Sequence, residues 1–211
     1  SEMCIRDRED TEEETDDRAA SVPDRSNFAV QPGVSVGTTE QSDEKIVYLT
    51  LDDGPSDNTQ AVLDILDKYN AKATFFVTNG KPDYQNLIAE EASRGHTVAI
   101  HSASHDYSRI YQSVDAYFDD LNEMNNIILT QTGKYADIIR FPGGSSNTVS
   151  RSYCEGIMSQ LVCAVEAKGF RYCDWNVSSG DAGSANTASQ VICNAVSYTH
   201  LRAHETRRHL V

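Results

Sequence analysis

Long apolar runs and basic residues are what this sequence most clearly lacks. No stretch approaches the roughly 20 consecutive apolar residues that a membrane-spanning helix needs, so the sequence predicts no such span. The 18 lysine and arginine residues are outnumbered by 32 aspartate and glutamate residues, which gives a formal net charge of −14. So acidic a chain has little basic surface with which to neutralise phosphates, and this argues against a nucleic-acid partner.

The acidic residues are concentrated near the N-terminus. Residues 9–44 contain eleven acidic residues and two arginines, and they show no apolar periodicity. A segment of this composition buries too little apolar surface to offset its loss of conformational entropy, so we expect a disordered acidic tether or a solubilising tail. The remainder of the 211-residue chain, with 39% hydrophobic residues overall, suits one soluble domain of ordinary size over residues 45–195.

Both ends of the chain have the appearance of non-native sequence. Residues 2–8 and 196–201 can be encoded by DNA strings that are reverse complements of each other, as when one synthetic adaptor flanks an insert on both sides. We therefore interpret residues 1–8 and 196–211 as adaptor-like and exclude them from functional reasoning. This removes Cys4 and the C-terminal histidines His200, His204 and His209, and we expect the native domain to be cut short at its C-terminus.

Strand-like and helix-like segments alternate five times between residues 45 and 195. The predicted strands are 46–51, 73–77, 97–100, 137–141 and 170–173. The predicted helices are 58–69, 82–94, 114–132, 150–168 and 186–194. This alternation predicts an α/β fold with a parallel sheet and right-handed crossovers, either open or closed into a barrel.

Polar and ionisable residues follow the predicted strands. In a parallel α/β fold the carboxyl ends of the strands meet at one edge, where ligands bind. The residues expected on this rim are Asp52, Asp53, Thr78, Asn79, His101, His105, Arg140, Pro142, Asp174 and Trp175.

The histidine pair in this set favours a metal site. The spacing of His101 and His105 would place both imidazoles on one face if the segment formed a helical turn, although it also suits a capped helix start. Asp53 would complete a set of two histidines and one carboxylate. Such a set could hold zinc, or iron(II) for oxygen chemistry.

The remaining rim residues allow both functional and structural interpretations. If Gly54-Pro55 ends the first strand, Asp52 could remain free as a base beside Asp53, while an Asx-type turn is the structural alternative. Arg140 could keep a catalytic carboxylate ionised or form a structural salt bridge. Trp175, the only tryptophan, could line a substrate pocket or lie in the core.

Taken in order, four motifs of residues 45–195 resemble those of the polysaccharide deacetylases, the NodB-homology family of carbohydrate esterases (family 4). The motifs are Leu51-Asp52-Asp53-Gly54-Pro55, His101-x-x-x-His105, Arg140-x-Pro142 and Asp174-Trp175. The resemblance implies a distorted parallel (β/α) barrel, incomplete here at its C-terminus.

The resemblance also implies roles for the rim residues. Asp53, His101 and His105 would bind a divalent metal, usually Zn²⁺, with Co²⁺ or another divalent ion as alternatives. Asp52 would be the general base, Arg140 would position it, and Asp174 would support Arg140. Pro142, Gly143 and Trp175 would line the substrate site, with a backbone N–H near Gly143 or Gly144 assisting the oxyanion.

Two family features are missing from residues 45–195. The usual general acid is a histidine in a late Leu-x-His segment, and His96, the other histidine of this region, precedes the third strand at the wrong end. The family also often carries a tyrosine after the third-motif proline, where this chain has Gly143-Gly144. We attribute the missing histidine to truncation.

By the same resemblance the substrate is an acetylated polysaccharide. Peptidoglycan is the first choice, with chitin oligomers and acetylated xylan as alternatives, and hydrolysis of N-acetyl or O-acetyl groups is open. We expect an extracellular or cell-envelope location, with a membrane anchor upstream. A saccharide-binding fragment without turnover is the competing function.

The cysteines Cys154, Cys163, Cys173 and Cys193 form an even set that suits one or two disulfides or free thiols.

Overall fold

The computed structural model describes residues 47–183, 185 and 187–205. The strands are β1 (Leu49–Gly54), β2 (Ala73–Thr78), β3 (Thr97–Ser102), β4 (Ile138–Ile139) and β5 (Arg171–Tyr172). The helices are α1 (Thr59–Lys68), α2 (Asn86–Ser93), α3 (Tyr107–Ile110), α4 (Val114–Thr132), α5 (Ile157–Ala167) and α6 (Ala188–Glu205). Short 3₁₀ helices cover Pro82–Tyr84 and Val149–Ser152. The predicted alternation is confirmed, while the adaptor-like residues 1–8, the acidic segment 9–44 and residues 206–211 lie outside this part of the chain.

The five strands form one parallel sheet in the order β1-β2-β3-β4-β5. Strand order that follows chain order, with helical crossovers, is the winding of a (β/α) barrel rather than of a doubly wound open sheet, which reverses direction at its centre. Over the described residues the sheet is not closed, because β1 and β5 remain its edges. The α/β class and the barrel-type fold implied by the resemblance are confirmed.

The two faces of the sheet have different compositions. Leu51, Phe75, Val77, Ile100 and Ile139 belong to or pack against the apolar cluster that the helices cover. Because side chains alternate between faces along a strand, the residues next to these in sequence point to the other face. That face carries Thr50, Asp52, Phe76, His101 and Arg140.

Several predicted boundaries were wrong. The first strand extends to Gly54 instead of ending at residue 51, with an irregular register between Asp52 and Gly54. The helix predicted over 82–94 starts as a 3₁₀ turn at Pro82, and α2 begins only at Asn86. The helix predicted over 150–168 is interrupted before Gly156, whose φ of 75° is left-handed. By contrast, α4 has the predicted bounds and ends at left-handed Gly133.

The α6 helix continues past residue 195 and therefore crosses the boundary expected for the adaptor-like C-terminal segment. Among the described helices none combines the length and apolar character that a membrane crossing requires.

The thiols of Cys154, Cys163 and Cys173 are free in the structure. Of the two alternatives for these three residues, the structure therefore has the free thiol and not the disulfide.

The α2 helix buries a carboxyl group. Glu91 is fully buried, and within the described part of the chain neither of its carboxylate oxygens has a hydrogen-bond partner. Burial raises the pKa of Glu91 to about 8, so this side chain is held in its neutral form near pH 7.

Candidate active site

The Asp53, His101 and His105 side chains converge at the carboxyl ends of β1 and β3. Oδ1 of Asp53 lies 3.6 Å from Nε2 of His101 and 3.4 Å from Nε2 of His105. One ligand atom from each residue lies within 4.8 Å of the others. The separations of 3.4 and 3.6 Å are those of two ligand atoms that each lie about 2.0–2.2 Å from one tetrahedral ion, the distance that zinc takes to histidine nitrogen and carboxylate oxygen. The three residues that the sequence predicts as metal ligands therefore lie close enough together to hold one ion.

His101 is prepared for ligation by its surroundings. Its side chain is only 4% exposed, and burial lowers its pKa, so the neutral imidazole that binds metals is favoured. Nδ1 of His101 lies 2.8 Å from the carbonyl oxygen of Arg140, which can only accept a hydrogen bond. We therefore assign the proton to Nδ1, which leaves the lone pair of Nε2 directed at Asp53 and His105.

The backbone conformation of the other two ligands differs from the prediction. The prediction of a helical turn over His101 and His105 was wrong: His101 is the last residue but one of β3, and His105 lies in the following loop with a φ of 51°. Asp53 also has a positive φ, 65°, within the irregular end of β1. A regular strand would send Asp53 to the face opposite Asp52, so this local distortion lets both carboxylates reach the rim without the strand ending.

The loop between the two histidines is held by Asp120, a residue that sequence reasoning missed. Its Oδ2 accepts hydrogen bonds from the Ser102 hydroxyl at 2.6 Å and the Ala103 N–H at 2.8 Å. Its Oδ1 accepts from the Ser104 N–H at 2.9 Å, and the Ser102 hydroxyl oxygen accepts from the His105 N–H at 2.8 Å. Asp120 thereby fixes the path of the chain from one ligand to the other.

A signal for Asp120 was present in the sequence. On α4 it lies within the buried stripe of Tyr117, Leu121, Met124 and Ile128 and is itself only 2% exposed. A carboxylate on the apolar face of a helix needs partners, because an unpaired buried charge is costly.

Arg140 connects the metal ligands with Asp52. Its guanidinium donates from Nη1 to Oδ1 of Asp52 at 2.7 Å and to the Thr50 hydroxyl at 3.0 Å. Nε donates to the Cys173 carbonyl at 2.9 Å and Nη2 to the Asp174 carbonyl at 3.2 Å. The guanidinium carbon also lies 4.1 Å from the centre of the Phe76 ring. These contacts fix the orientation of Asp52, and 29% of the Asp52 side chain remains exposed toward the rim.

Asp174 contacts Arg140 only through its backbone carbonyl. Its carboxylate instead accepts from the Ser145 N–H at 2.9 Å and from the Ser145 hydroxyl. Asp174 thus supports Arg140 with its main chain and organises the loop after Phe141 with its side chain.

The loop after Phe141 carries two backbone N–H groups that were candidates to bind an oxyanion, and one of them is available. The Gly144 N–H donates to the Phe141 carbonyl at 2.8 Å, so it closes a turn. Within the described residues, the N–H of the exposed Gly143 makes no hydrogen bond. Pro142 is buried, and its carbonyl accepts from the Tyr111 hydroxyl at 2.6 Å, so this residue shapes the loop from beneath.

Trp175 lies at the rim and not in the core. It is 47% exposed, and its ring centre lies 5.5 Å from the Arg140 guanidinium. A Cβ on Gly144 would meet the Trp175 ring at 3.4 Å, so the small glycine admits the indole. The ring forms an apolar wall beside the Arg140–Asp52 pair.

The other polar residues considered for the site lie at both ends of the strands. Thr78 donates to the Gly54 carbonyl at 3.4 Å, and Asn79 accepts from the Gln85 side chain, so both stabilise the rim from β2. His96 is buried, and its Nδ1 accepts from the Ala73 N–H, at the amino end of β2. His96 therefore lies at the opposite end of the strands from the metal ligands, as the sequence predicted.

A metal-ligand triad next to an arginine-held carboxylate, on the carboxyl rim of a parallel sheet, is the arrangement of a metal-dependent hydrolase. Comparison with known proteins makes this class more specific. A family model described as polysaccharide deacetylase matches residues 39–157, more than half of the chain. The chain belongs to the polysaccharide deacetylase family.

Three relatives illustrate the similarity. The chain is 31% identical over 180 residues to a peptidoglycan-N-acetylglucosamine deacetylase of Bacillus cereus, covering 78% of this chain and 63% of that protein. It is 33% identical over 120 residues to a chitooligosaccharide deacetylase of Rhizobium leguminosarum bv. trifolii, covering 55% of each. The crystal structure of the catalytic domain of a Eubacterium rectale peptidoglycan N-acetylglucosamine deacetylase superposes with a TM-score of 0.75 at 62% identity, covering 80% of this chain and 76% of that one. The chain thus spans less than two thirds of the length of either of these two curated relatives.

Proposed function

We propose that this chain hydrolyses the acetamide of N-acetylglucosamine residues in a polysaccharide, releasing acetate and leaving a free amine. The observation that carries the proposal is the position of the Arg140–Asp52 pair beside the Asp53–His101–His105 triad. An amide is a weak electrophile and water a weak nucleophile, so hydrolysis needs both an electrophilic centre and a base at one place. On this rim the Asp53–His101–His105 triad would hold the electrophilic ion, and the Asp52 carboxylate would be the base.

Asp53, His101 and His105 would hold the divalent ion, for which we propose zinc. Two imidazole nitrogens and one carboxylate oxygen form a catalytic zinc ligand set that leaves positions open for water and substrate. When bound, the ion would polarise the amide carbonyl and lower the pKa of its water to about 7. The hydrogen bond from His101 to the Arg140 carbonyl supports this role, because an outer partner fixes the ligand nitrogen in place.

Asp52 would serve as the general base. Its Oδ1 accepts a hydrogen bond from Arg140, which orients the carboxylate. As the water oxygen bonds to the amide carbon, Asp52 accepts the proton that the water loses. When the C–N bond breaks, protonated Asp52 returns this proton to the departing nitrogen, which becomes the amine, while the carbonyl carbon leaves in acetic acid, which ionises to acetate.

Two further rim groups would contact the acetyl group. The Gly143 N–H would donate to the carbonyl oxygen as negative charge develops on it, and such a donor contributes about 10²–10³-fold to kcat in other acyl-transfer enzymes. The Trp175 ring would cover the methyl group. An iron(II) oxygen enzyme has no use for a base held in this manner, so the Arg140–Asp52 pair favours hydrolysis.

For the polymer we propose peptidoglycan and for the location the cell envelope or the extracellular space. The names of the Bacillus cereus and Eubacterium rectale relatives support peptidoglycan, while that of the Rhizobium relative keeps chitin oligomers as the alternative. The acidic segment 9–44 would act as a tether between the domain and an anchor upstream. O-acetyl groups would meet the same chemistry, since the ester carbonyl accepts the same attack.

The test compares the parent chain with Asp53→Ala and His101→Ala variants and an Asp119→Ala control, an exposed acidic residue of α4. Zinc stoichiometry and acetate release from tetra-N-acetylchitotetraose and from peptidoglycan are measured for each. We expect one zinc ion per chain for the parent and the control, and none for the two folded ligand variants. A folded parent without zinc affinity would contradict the proposal, and oligosaccharide binding without acetate release would favour a saccharide-binding function.

A further inference from the structure

We propose that the Tyr107 hydroxyl is a second hydrogen-bond donor for the acetyl carbonyl oxygen, next to the Gly143 N–H. This inference rests on the proposed function and adds a side chain to the groups that would bind the reacting atoms. The tyrosine lies in the first turn of α3, just beyond the metal ligand His105.

The position of the hydroxyl follows from a close approach to Gly143. A Cβ built on Gly143 would stand 2.8 Å from the hydroxyl oxygen of Tyr107, closer than carbon and oxygen can pack. The two donors, one from the chain after β3 and one from the chain after β4, therefore lie side by side. The Tyr107 ring centre also lies 5.7 Å from that of His105, so the tyrosine ring packs beside one of the proposed metal ligands.

The hydroxyl is available for a ligand. Among the residues that the structure describes, the Tyr107 hydroxyl makes no hydrogen bond, whereas the hydroxyl of the neighbouring Tyr111 is committed to the Pro142 carbonyl at 2.6 Å. Tyr107 is half-buried, and a phenolic hydroxyl carries its proton near neutral pH and can therefore donate it.

The ring of Tyr107 is held in place before any ligand arrives. Its centre lies 5.5 Å from that of Tyr111, and the Asp106 side chain accepts from the Ser108 N–H at 2.9 Å, which fixes the start of α3. A donor that is already oriented costs little reorganisation when negative charge develops, which is the condition for strong oxyanion stabilisation.

The same geometry accounts for the glycine at position 143. Its φ of 78° is left-handed, and any side chain there would displace the Tyr107 hydroxyl. A side chain at position 143 and a hydroxyl from position 107 are therefore alternatives for one space on the rim, and this chain uses the hydroxyl.

The test uses the zinc-loaded full chain, a Tyr107→Phe variant and a Tyr135→Phe control, which removes an exposed hydroxyl before β4. Three quantities are measured for each protein: zinc affinity, acetate release, and the affinities for tetra-N-acetylchitotetraose and its fully deacetylated counterpart. Binding is followed by the fluorescence of Trp175, the only tryptophan of the chain.

We expect Tyr107→Phe to retain the zinc affinity of the parent and its affinity for the deacetylated oligomer. Its affinity for the acetylated oligomer should fall about fivefold to tenfold, the loss of one neutral hydrogen bond. Its kcat for acetate release should fall about 100-fold, as for other lost oxyanion donors.

Two results would overturn the assignment of Tyr107. One is a variant that matches the parent in acetylated-oligomer affinity and acetate release, and the other is a loss of zinc affinity in the variant that accounts for its weaker binding. A zinc-loaded parent that binds both oligomers equally and releases no acetate would instead contradict the proposed function, and this inference with it.

Discussion

Asp120 supports the metal site from outside it, and replacing Asp120 with asparagine should weaken both zinc binding and the fold. In the parent, three donors converge on the two Asp120 oxygens: the Ser102 hydroxyl and the N–H groups of Ala103 and Ser104. Asparagine keeps the size of the side chain but turns one of these oxygens into an NH₂ group. Whichever oxygen is lost, at least one main-chain N–H then faces a donor.

The magnitude follows from the burial of these groups. A buried N–H that loses its acceptor costs about 1–3 kcal/mol, and Asp120 is only 2% exposed, so solvent cannot replace the lost oxygen. We therefore expect the free energy of unfolding of the zinc-free protein to fall by about 1–3 kcal/mol. Zinc affinity should fall about 10- to 100-fold, the usual effect of removing an outer partner of a metal ligand.

The assay combines urea denaturation of the zinc-free protein with zinc titration against a competing chelator. Asp119→Asn is the matched control, because it makes the same chemical change one residue earlier on the exposed face of α4. A variant that loses stability but binds zinc within twofold of the parent would refute the view that Asp120 positions His105. Unchanged stability would refute the hydrogen-bond argument itself.

Three further experiments address other parts of the molecule. The pKa of Glu91 is about 8 in the folded protein against an ordinary value of 4.5, so the neutral form stabilises the fold below pH 4.5 and this contribution is lost as pH rises through 8. At about 1.4 kcal/mol for each pH unit, the free energy of unfolding should fall by at most roughly 5 kcal/mol over this range. In Glu91→Gln, urea denaturation should show that the free energy of unfolding declines much less with pH than in the parent. Arg140→Lys should lower kcat roughly 100-fold with little change in KM, because a single ammonium group cannot bind Asp52 and the two carbonyls together, and steady-state acetate release measures this. Gly143→Ala should destabilise the fold by about 1–2 kcal/mol, because residue 143 has a positive φ. The added methyl group should also lower kcat by displacing the Tyr107 hydroxyl. An unchanged melting temperature would contradict the first effect, and an unchanged rate of acetate release would contradict the second.

The sequence predicted most of the site because the signals were local. Period-two alternation in the strands places Asp52, His101 and Arg140 on one face, and the carboxyl ends of parallel strands bring them to one rim. The alternation of strands and helices and the bounds of α4 followed from patterns within a few residues of each other.

The rest depended on contacts between distant segments or on unusual backbone angles. The residue types of Asp53 and His105 did not indicate their positive φ values, because neither residue is glycine. The Asp120 contacts with the loop after Ser102 span 16 to 18 residues, and the approach of Tyr107 to Gly143 joins loops that follow different strands. Only the assembled fold shows that the Asp174 carboxylate holds Ser145 while its carbonyl holds Arg140.

Arg140 belongs to both halves of the site, since its carbonyl binds His101 and its guanidinium binds Asp52. The residue directly after β4 therefore sets the distance between the ligand nitrogen and the base. For protein engineering this means that the two halves cannot be adjusted separately: a shift of β4 that enlarges the ion site also moves the base. A redesign for a larger ion or a bulkier acyl group would have to begin at position 140 and the strand that precedes it, before any ligand is exchanged.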